Sequence, residues 1–479
     1  MAGFIGRERD LSVLAREFEE RRASLVILYG RRRIGKSALI QQSSLQRPAI
    51  YFQATIVDDS LNLAAFKTEI SRVLGDSPVL DSLSDWQGVL HYLAAQAEQH
   101  RGLIVALDEF PYLVGGNPGL PSILQKFWDS RVAEEGALKL ILCGSLIAQM
   151  EDLLSERNPL YGRRTLAREI LPMSLREAAE FVPQWDPADA ISLFSVLGGV
   201  PYYLEMCDPS LTFSDNIKRL FLVPSALLQE EPEYLLRTEL NEPRRYASIA
   251  AAIADGATKP SEIVARVPGL TSASEVSTYI NRLQQMRIVV RERSLDADEH
   301  SRNNRYSLQD PLFRFWHRFV RPHLGTLNRG FGDDIWSRNI RPFFNEYMGP
   351  AFEVVAREHL RDHAQERFSV PAGDIGRIWG GDFEIDIAGR LLDGSALFGE
   401  CKWENALIGE SIRKRLGEYV AKTRYAEDAQ SRHFVFFARK GFTEELRNTA
   451  KIDGSIQLVD MEELVRSPDP HPSPLPSPH

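Results

Sequence analysis

SLVILYGRRRIGKSALIQQ, residues 24–42, decides how this 479-residue chain is read. Ser24–Tyr29 is a nearly continuous apolar run, as expected of a strand covered on both faces. Gly30 follows, then four residues, then Gly35-Lys36-Ser37, and Ala38-Leu39-Ile40 opens a helix. A phosphate-binding loop needs glycines so that its backbone can curl and aim N–H groups at phosphate oxygens. It also needs a lysine for the β- and γ-phosphates and a hydroxyl for Mg²⁺. The helix places the positive end of its dipole at the anion. Strand, loop and helix therefore predict that Gly30, Arg31, Arg32, Arg33, Ile34, Gly35, Lys36, Ser37 and Ala38 hold Mg-ATP.

Working outward, LIVALDEF (residues 103–110) reads as a buried strand, Leu103–Leu107, delivering Asp108 and Glu109 at its C-terminal edge. Ligands of open parallel sheets bind at that edge. Asp108 is expected to hold Mg²⁺ through water, and Glu109 to orient or deprotonate the attacking water. Ser145 closes LKLILCGS (138–145), where a hydroxyl can sense the γ-phosphate. Arg163 and Arg164 in NPLYGRRT (158–165) are candidates for a positive charge at the transition state. Ala49–Gln53 and Leu138–Cys143 complete the predicted strands. Their alternation with helical patterns indicates a parallel α/β sheet over residues 1–170. From Leu171 the pattern is helical only, over Leu175–Val182, Ala188–Leu197 and Leu204–Leu222, giving a helical lid at 171–240.

Composition bounds the rest. Hydrophobic residues at 43% and charged residues at 26% are ordinary for globular protein. The net charge of -9 excludes a uniformly basic sheath for nucleic acid, though not a local basic face. Cys143, Cys207 and Cys401 lie far apart, which excludes a disulfide framework and fits a reducing, cytoplasmic setting. The N-terminus MAGFIGRERD is charged where a signal peptide is apolar. No apolar run approaches the roughly 20 residues that span a bilayer, so no membrane partner is expected. The Pro/Ser-rich end, residues 467–479, reads as a disordered tail.

FIGRERDL (4–11), GRRRIGKS (30–37), ALDEF (106–110), LCGS (142–145), NPLYGRR (158–164) and GGVPYYL (198–204) occur in this order. In these motifs the chain resembles the archaeal-type ATPases, in the STAND branch of the AAA+ related P-loop proteins, over residues 4 to about 240. The resemblance implies that Arg7 and Glu8 lie near the nucleotide and that the GGVP segment brings the lid to it. It also implies a switch in which ATP and ADP favour different domain arrangements.

Residues 241–325 offer three short helices (Tyr246–Ala254, Pro260–Ala265, Ser274–Met286) and then two strands (Ile288–Arg293, Arg305–Leu308). That is the order of a winged helix-turn-helix. Residues 240–330 carry 14 Lys and Arg against 9 Asp and Glu. One reading places Ser274–Met286 in a DNA major groove, with Arg282 and Arg287 near phosphates. The resemblance to the STAND proteins implies the other reading, a relay that never touches DNA, and Glu275 and the acidic stretch Asp296–Glu299 also oppose a duplex.

A new α/β pattern spans 345–462. In GGDFEIDIAGRLLDGSALFGECKW (380–403), Ile385 and Ile387 alternate with Glu384 and Asp386, and Cys401 and Trp403 with Glu400 and Lys402. A two-residue turn mixes charged and apolar faces. A three-residue turn, Asp393-Gly394-Ser395, sets Asp386 opposite Lys402 and Ile387 opposite Cys401, gathering Asp386, Glu400 and Lys402 on one face. Such a set suits metal-assisted phosphodiester hydrolysis. Asp386 and Glu400 hold Mg²⁺, Lys402 positions the attacking water, and Glu353 in GPAFEVVAREHL (349–360) adds a carboxylate.

The segment resembles the PD-(D/E)xK nuclease superfamily, although Gly381-Asp382 stands where the name-giving Pro-Asp is expected. The implied restriction-endonuclease-like domain acts on DNA or RNA, or keeps the fold without the reaction. The expected whole is an ATP-controlled switch joined to a nuclease-like domain. Its rivals are an ATP-gated DNA-binding regulator with a silent C-terminal site and a protein-binding signalling switch. A monomer and an oligomer are both compatible with the sequence.

Overall fold

The computed structural model describes residues 3–130, 137–297, 304–425 and 427–466. The chain divides into two units, residues 1–173 with 200–202, and residues 174–199 with 203–479. The expected tail at 467–479 lies outside the described residues.

In the first unit, five parallel strands stand in the order β2-β3-β4-β1-β5. They are β1 (Ser24–Tyr29), β2 (Ala49–Gln53), β3 (Ile104–Asp108), β4 (Lys139–Gly144) and β5 (Leu166–Glu169). β1, β3 and β4 are almost wholly buried, which explains their unbroken apolar sequence. Connecting helices cover the sheet: α1 (Glu8–Glu19), α2 (Lys36–Ser43), α3 (Asp59–Leu74), α4 (Pro78–Ser82), α5 (Trp86–Gln99), α6 (Phe110–Gly116) and α7 (Leu120–Asp129). Phe66 and Trp86 stack in the core against Phe52 of β2. β5 was not predicted. Its four residues, LARE, are half-buried at a sheet edge, too short and too charged to read as a strand. The strand order puts β4 between β3 and β1, so the C-terminal ends of three strands meet at one point of the sheet edge.

The second unit begins with the helices Leu175–Ala179 and Pro187–Leu197. The predicted helix Leu204–Leu222 is a correction. The chain leaves helix after Leu204 and returns only at Phe213, where Thr212 caps the new helix through the Asp215 N–H. Pro209 lies in the gap, and a proline lacks the N–H that an uninterrupted helix requires.

The helices Pro243–Ala254, Pro260–Arg266 and Ala273–Gln285 then surround one apolar cluster with the antiparallel ribbon β6 (Val289–Arg293) and β7 (Asn304–Leu308). After the helix Phe344–Phe368 comes a mixed sheet of five strands, ordered β12-β11-β10-β9-β8. Its members are β8 (Ala372–Trp379), β9 (Glu384–Leu391), β10 (Ala396–Lys402), β11 (Arg432–Ala438) and β12 (Ile456–Asp460). β8 was missed because Gly373, Asp374 and Gly376 disguise it, and it lies at one of the sheet's two edges.

The residues that follow β6 close that edge. The Leu295 N–H donates to the Arg377 carbonyl, and the Trp379 N–H donates to Ser294 Oγ. Glu292 pairs with Arg377 at 2.6 Å, and Thr423 donates to Asp296. An open sheet edge is a liability that proteins cover in this way.

The expected turn between β9 and β10 is three residues long but begins one residue earlier, at Leu392-Asp393-Gly394, closed by the Leu391 N–H to the Ser395 carbonyl. Ile387 consequently faces Gly399, not Cys401. The reason is Gly394, whose φ of 85° suits the left-handed last position of a three-residue hairpin loop. The register moves by two residues, so the faces keep their predicted composition.

His317 provides a test of the second unit's stability. It is 6% exposed, it packs against Trp316 and Phe313, and its Nδ1 has no hydrogen-bond partner. Burial, with Arg321 adding to it, pushes the imidazole down to about 3. Between about pH 6.5 and 3 the unfolded chain therefore binds the extra proton, and stability falls as pH falls. Denaturant unfolding should show about 2 kcal/mol of stability lost through this group at pH 5 relative to pH 7.5. His317→Leu should remove that increment of acid sensitivity, and an unchanged pH dependence would clear His317.

Candidate nucleotide site

β1 ends at Tyr29, and the loop Gly30–Gly35 leads into α2. Gly30 has φ 154°, and a Cβ there would lie 2.4 Å from the Ile170 carbonyl oxygen, so no other residue fits unstrained. Gly35 caps α2 at φ 88°. Lys36 is 6% exposed and lies across the loop, donating to the carbonyls of Gly30 (2.9 Å) and Arg31 (3.1 Å). The loop is braced from behind by Arg7. This buried side chain donates to the carbonyls of Ile34 (2.8 Å) and Leu171 (2.6 Å) and pairs with Asp10. Arg7 thus supports the loop from behind, while Glu8, which the resemblance also set near the nucleotide, stands exposed on the first turn of α1. Tyr202 lies 4.5 Å under the Arg33 guanidinium, and Pro201 stands beside Gly35.

Asp108, 2% exposed, ends β3 opposite the loop. Its Oδ2 accepts from Ser37 Oγ at 2.6 Å and from the Tyr51 hydroxyl, and its Oδ1 accepts from the Glu109 N–H at 2.9 Å. Burial pushes this carboxyl up. The bonds from Ser37, Tyr51 and Cys143 and the Glu109 N–H outweigh it and leave the group below the usual carboxylate range. An ionised carboxylate 2.6 Å from a serine hydroxyl is a hard-oxygen donor set that fits Mg²⁺. Glu109 adopts φ 54°, which turns its side chain toward β4. There it accepts from Ser145 Oγ (3.0 Å) and the Ser145 N–H (3.3 Å). The three strand ends thus bring Ser37, Asp108, Glu109 and Ser145 together.

Arg163 and Arg164 are engaged elsewhere. Arg163 forms a two-pronged ion pair with Asp129, 2.7 Å on each side. Arg164 donates to the Leu154 carbonyl and faces the Tyr161 ring. Tyr51 was missed in the sequence. The available signal was a phenol inside the apolar strand AIYFQ, whose hydroxyl must find a partner when buried.

In the second unit, Glu353 and Asp386 are both half-buried. Arg357, one helical turn from Glu353, lies 3.5 Å from it and donates to the Asp386 carbonyl at 2.8 Å. Burial, with Glu353 and Glu400 adding to it, raises the Asp386 carboxyl to about 7. Burial also raises Glu353. Glu400, 4% exposed, pairs with Lys402 at 2.7 Å and with Arg415 at 3.0 Å.

Asp386, Glu400 and Lys402 are therefore neighbours, as the face argument required. The expected three-carboxylate metal nest is not met: no group of three His, Cys, Asp or Glu placed to hold a metal ion occurs among the described residues. The physical reason is that Arg357, Lys402 and Arg415 already draw Glu353 and Glu400 toward cations. Asp386 and Glu400 remain as a two-carboxylate pair.

The first unit and its site define a P-loop ATPase domain. Residues 4–207 match the family described as an ATPase domain predominantly from Archaea. Residues 316–420 match a family of archaeal and bacterial proteins of unknown function. Uncharacterized protein MJECL04 of Methanocaldococcus jannaschii is 29% identical over 466 residues, 96% of this chain and all of that one. Uncharacterized protein MJ0424 of the same organism is 40% identical over 92 residues, 19% of this chain and 87% of its own length. The chain belongs to one family with these archaeal proteins. Among solved structures, the Walker-type ATPase PABY2304 of Pyrococcus abyssi shares the fold, with TM-score 0.50 and 22% identity over 66% of this chain and 96% of that one. No helix among the described residues is long and apolar enough to cross a membrane.

Proposed function

We propose that the chain binds and hydrolyses Mg-ATP as a switch, and that the switch governs a nuclease-like domain acting on DNA or RNA. The observation that carries the first half is the meeting of Ser37, Asp108, Glu109 and Ser145 at the mouth of the phosphate loop. In this reading the loop N–H groups and Lys36 hold the phosphates, and Ser37 and Asp108 hold Mg²⁺, which offsets charge on the β- and γ-phosphates. Glu109 orients the water, and its bond to Ser145 tells it where the γ-phosphate sits. The switch is supported by residues 200–202, which belong to the nucleotide unit while both flanks belong to the second unit. A change at Arg33 or Gly35 is thus covalently tied to the rest of the chain.

The block 241–325 reads as a winged helix. With Ser294, Leu295 and Asp296 held by the C-terminal sheet, the relay role has more support than a DNA groove contact. The domain at 345–462 reads as the PD-(D/E)xK type, in which Asp386 and Glu400 face the scissile phosphate and Lys402 positions water. Cleavage of linear duplex DNA, single-stranded DNA and RNA with Mg²⁺ or Mn²⁺ tests it, with and without ATP. Lys402→Ala and Asp386→Asn should each lower cleavage by about 100-fold or more, since both remove groups at the reacting centre. ATP dependence of the wild-type rate would establish coupling.

One observation favours a second reading, an ATP-gated binding protein with a silent site: Glu400 is already claimed by both Lys402 and Arg415. DNA binding without cleavage, untouched by Asp386→Ala, would decide for it.

A further inference from the structure

Tyr51 has no place in the phosphate-loop argument, yet the sheet aims it at the centre of the site. β2 and β3 run parallel with Tyr51 beside Ala106 and Gln53 beside Asp108. Side chains alternate between faces with a period of two, so Tyr51, Ala106 and Asp108 share one face. The phenol therefore reaches diagonally along the sheet to Asp108 Oδ2, the same oxygen that accepts from Ser37. With the Glu109 N–H on Oδ1, both carboxylate oxygens are pinned and the plane of the group is set. Ser37 is held in turn, since its proton goes to Asp108, which leaves the lone pairs of Oγ turned away from the carboxylate. A phenol keeps its proton at neutral pH, so Tyr51 is the donor to the carboxylate.

We propose that Tyr51 is a positioning residue of the nucleotide site: its hydroxyl fixes the Asp108 carboxylate so that Ser37 and Asp108 together present a preformed oxygen set to Mg²⁺. The proposal rests on the nucleotide-site reading above and goes beyond it by adding a residue from a strand that carries no phosphate or acidic motif. Outer partners that orient metal ligands are commonly worth 10- to 100-fold in metal affinity. The phenol's hydrogen bond goes to the Asp108 carboxylate and not to a loop N–H, so its loss should leave metal-free nucleotide binding alone.

The test uses the full chain and a fluorescent ATP analogue. Its affinity is measured in excess EDTA, and Mg²⁺ is then titrated at fixed analogue. For Tyr51→Phe the half-saturating Mg²⁺ concentration should rise about 10-fold. Metal-free affinity and the melting temperature should match wild type. Tyr51→Leu, which also removes the ring, should show the same Mg²⁺ midpoint, because the hydroxyl and not the ring carries the effect. A Tyr51→Phe midpoint within twofold of wild type overturns the proposal. So does a parallel loss of metal-free affinity and melting temperature, which would mark Tyr51 as packing only. A wild type whose analogue binding ignores Mg²⁺ would sink the nucleotide-site reading itself and this proposal with it.

Discussion

Glu109→Gln should bind Mg-ATP within a few-fold of wild type while phosphate release falls by about two to three orders of magnitude. The amide keeps the size and the Ser145 contacts of Glu109, whose Oε atoms lie 3.0 and 3.1 Å from Ser145 Oγ. It cannot take a proton from water, and a positioned general base typically contributes 10² to 10⁴ in rate. The ground state loses little because the hydrogen bonds of Glu109 go to Ser145 on β4 and to the Asp108 carboxylate. Measured binding beside single-turnover phosphate release separates the two effects. A variant that still hydrolysed at the wild-type rate would remove Glu109 from the chemistry.

Lys36→Ala is expected to weaken Mg-ATP binding by about 100-fold, roughly 3 kcal/mol. The Lys36 ammonium lies across the loop carbonyls, and charge-assisted bonds to phosphate are about twice as strong as neutral ones. Removing it also leaves the Gly30 and Arg31 carbonyls facing the incoming anion without their donor. The stability of the unit should change little, since the bonds lost are to the loop's own carbonyls and not to the core. Equilibrium binding at constant Mg²⁺, with a melting curve as control, reads both quantities.

Legibility followed burial. Four strands of the first sheet could be read because they are covered on both faces and therefore continuously apolar, and the phosphate loop because its backbone demands Gly30 and Gly35. The site residues on those strands came with them. β5 and β8 escaped because edge strands need not be apolar: LARE is half-charged, and AGDIGRIW hides its pattern behind glycines. The break before Phe213 was signalled by Pro209 and went unread.

The C-terminal hairpin was right in its faces and wrong in its register. Facial alternation has a period of two and is blind to a shift of two residues, whereas Gly394 in a left-handed position decides the turn. Tyr51 shows what a linear sequence leaves out. Its partner Asp108 is fixed by sheet pairing between strands 57 residues apart, which no local pattern carries. Arg415 is similar: it pairs with Glu400, a carboxylate predicted for metal, and only helix–sheet packing brings it there, whereas Arg357 was legible one helical turn from Glu353.

The most direct measurement is a calorimetric titration of the full chain with ATP, in Mg²⁺ and in EDTA. The account predicts one saturable site per chain in Mg²⁺, weakened by removing the metal and nearly lost in Lys36→Ala. An absence of saturable binding, or binding that Lys36→Ala leaves undiminished, would contradict the assignment of residues 30–37 as the nucleotide site.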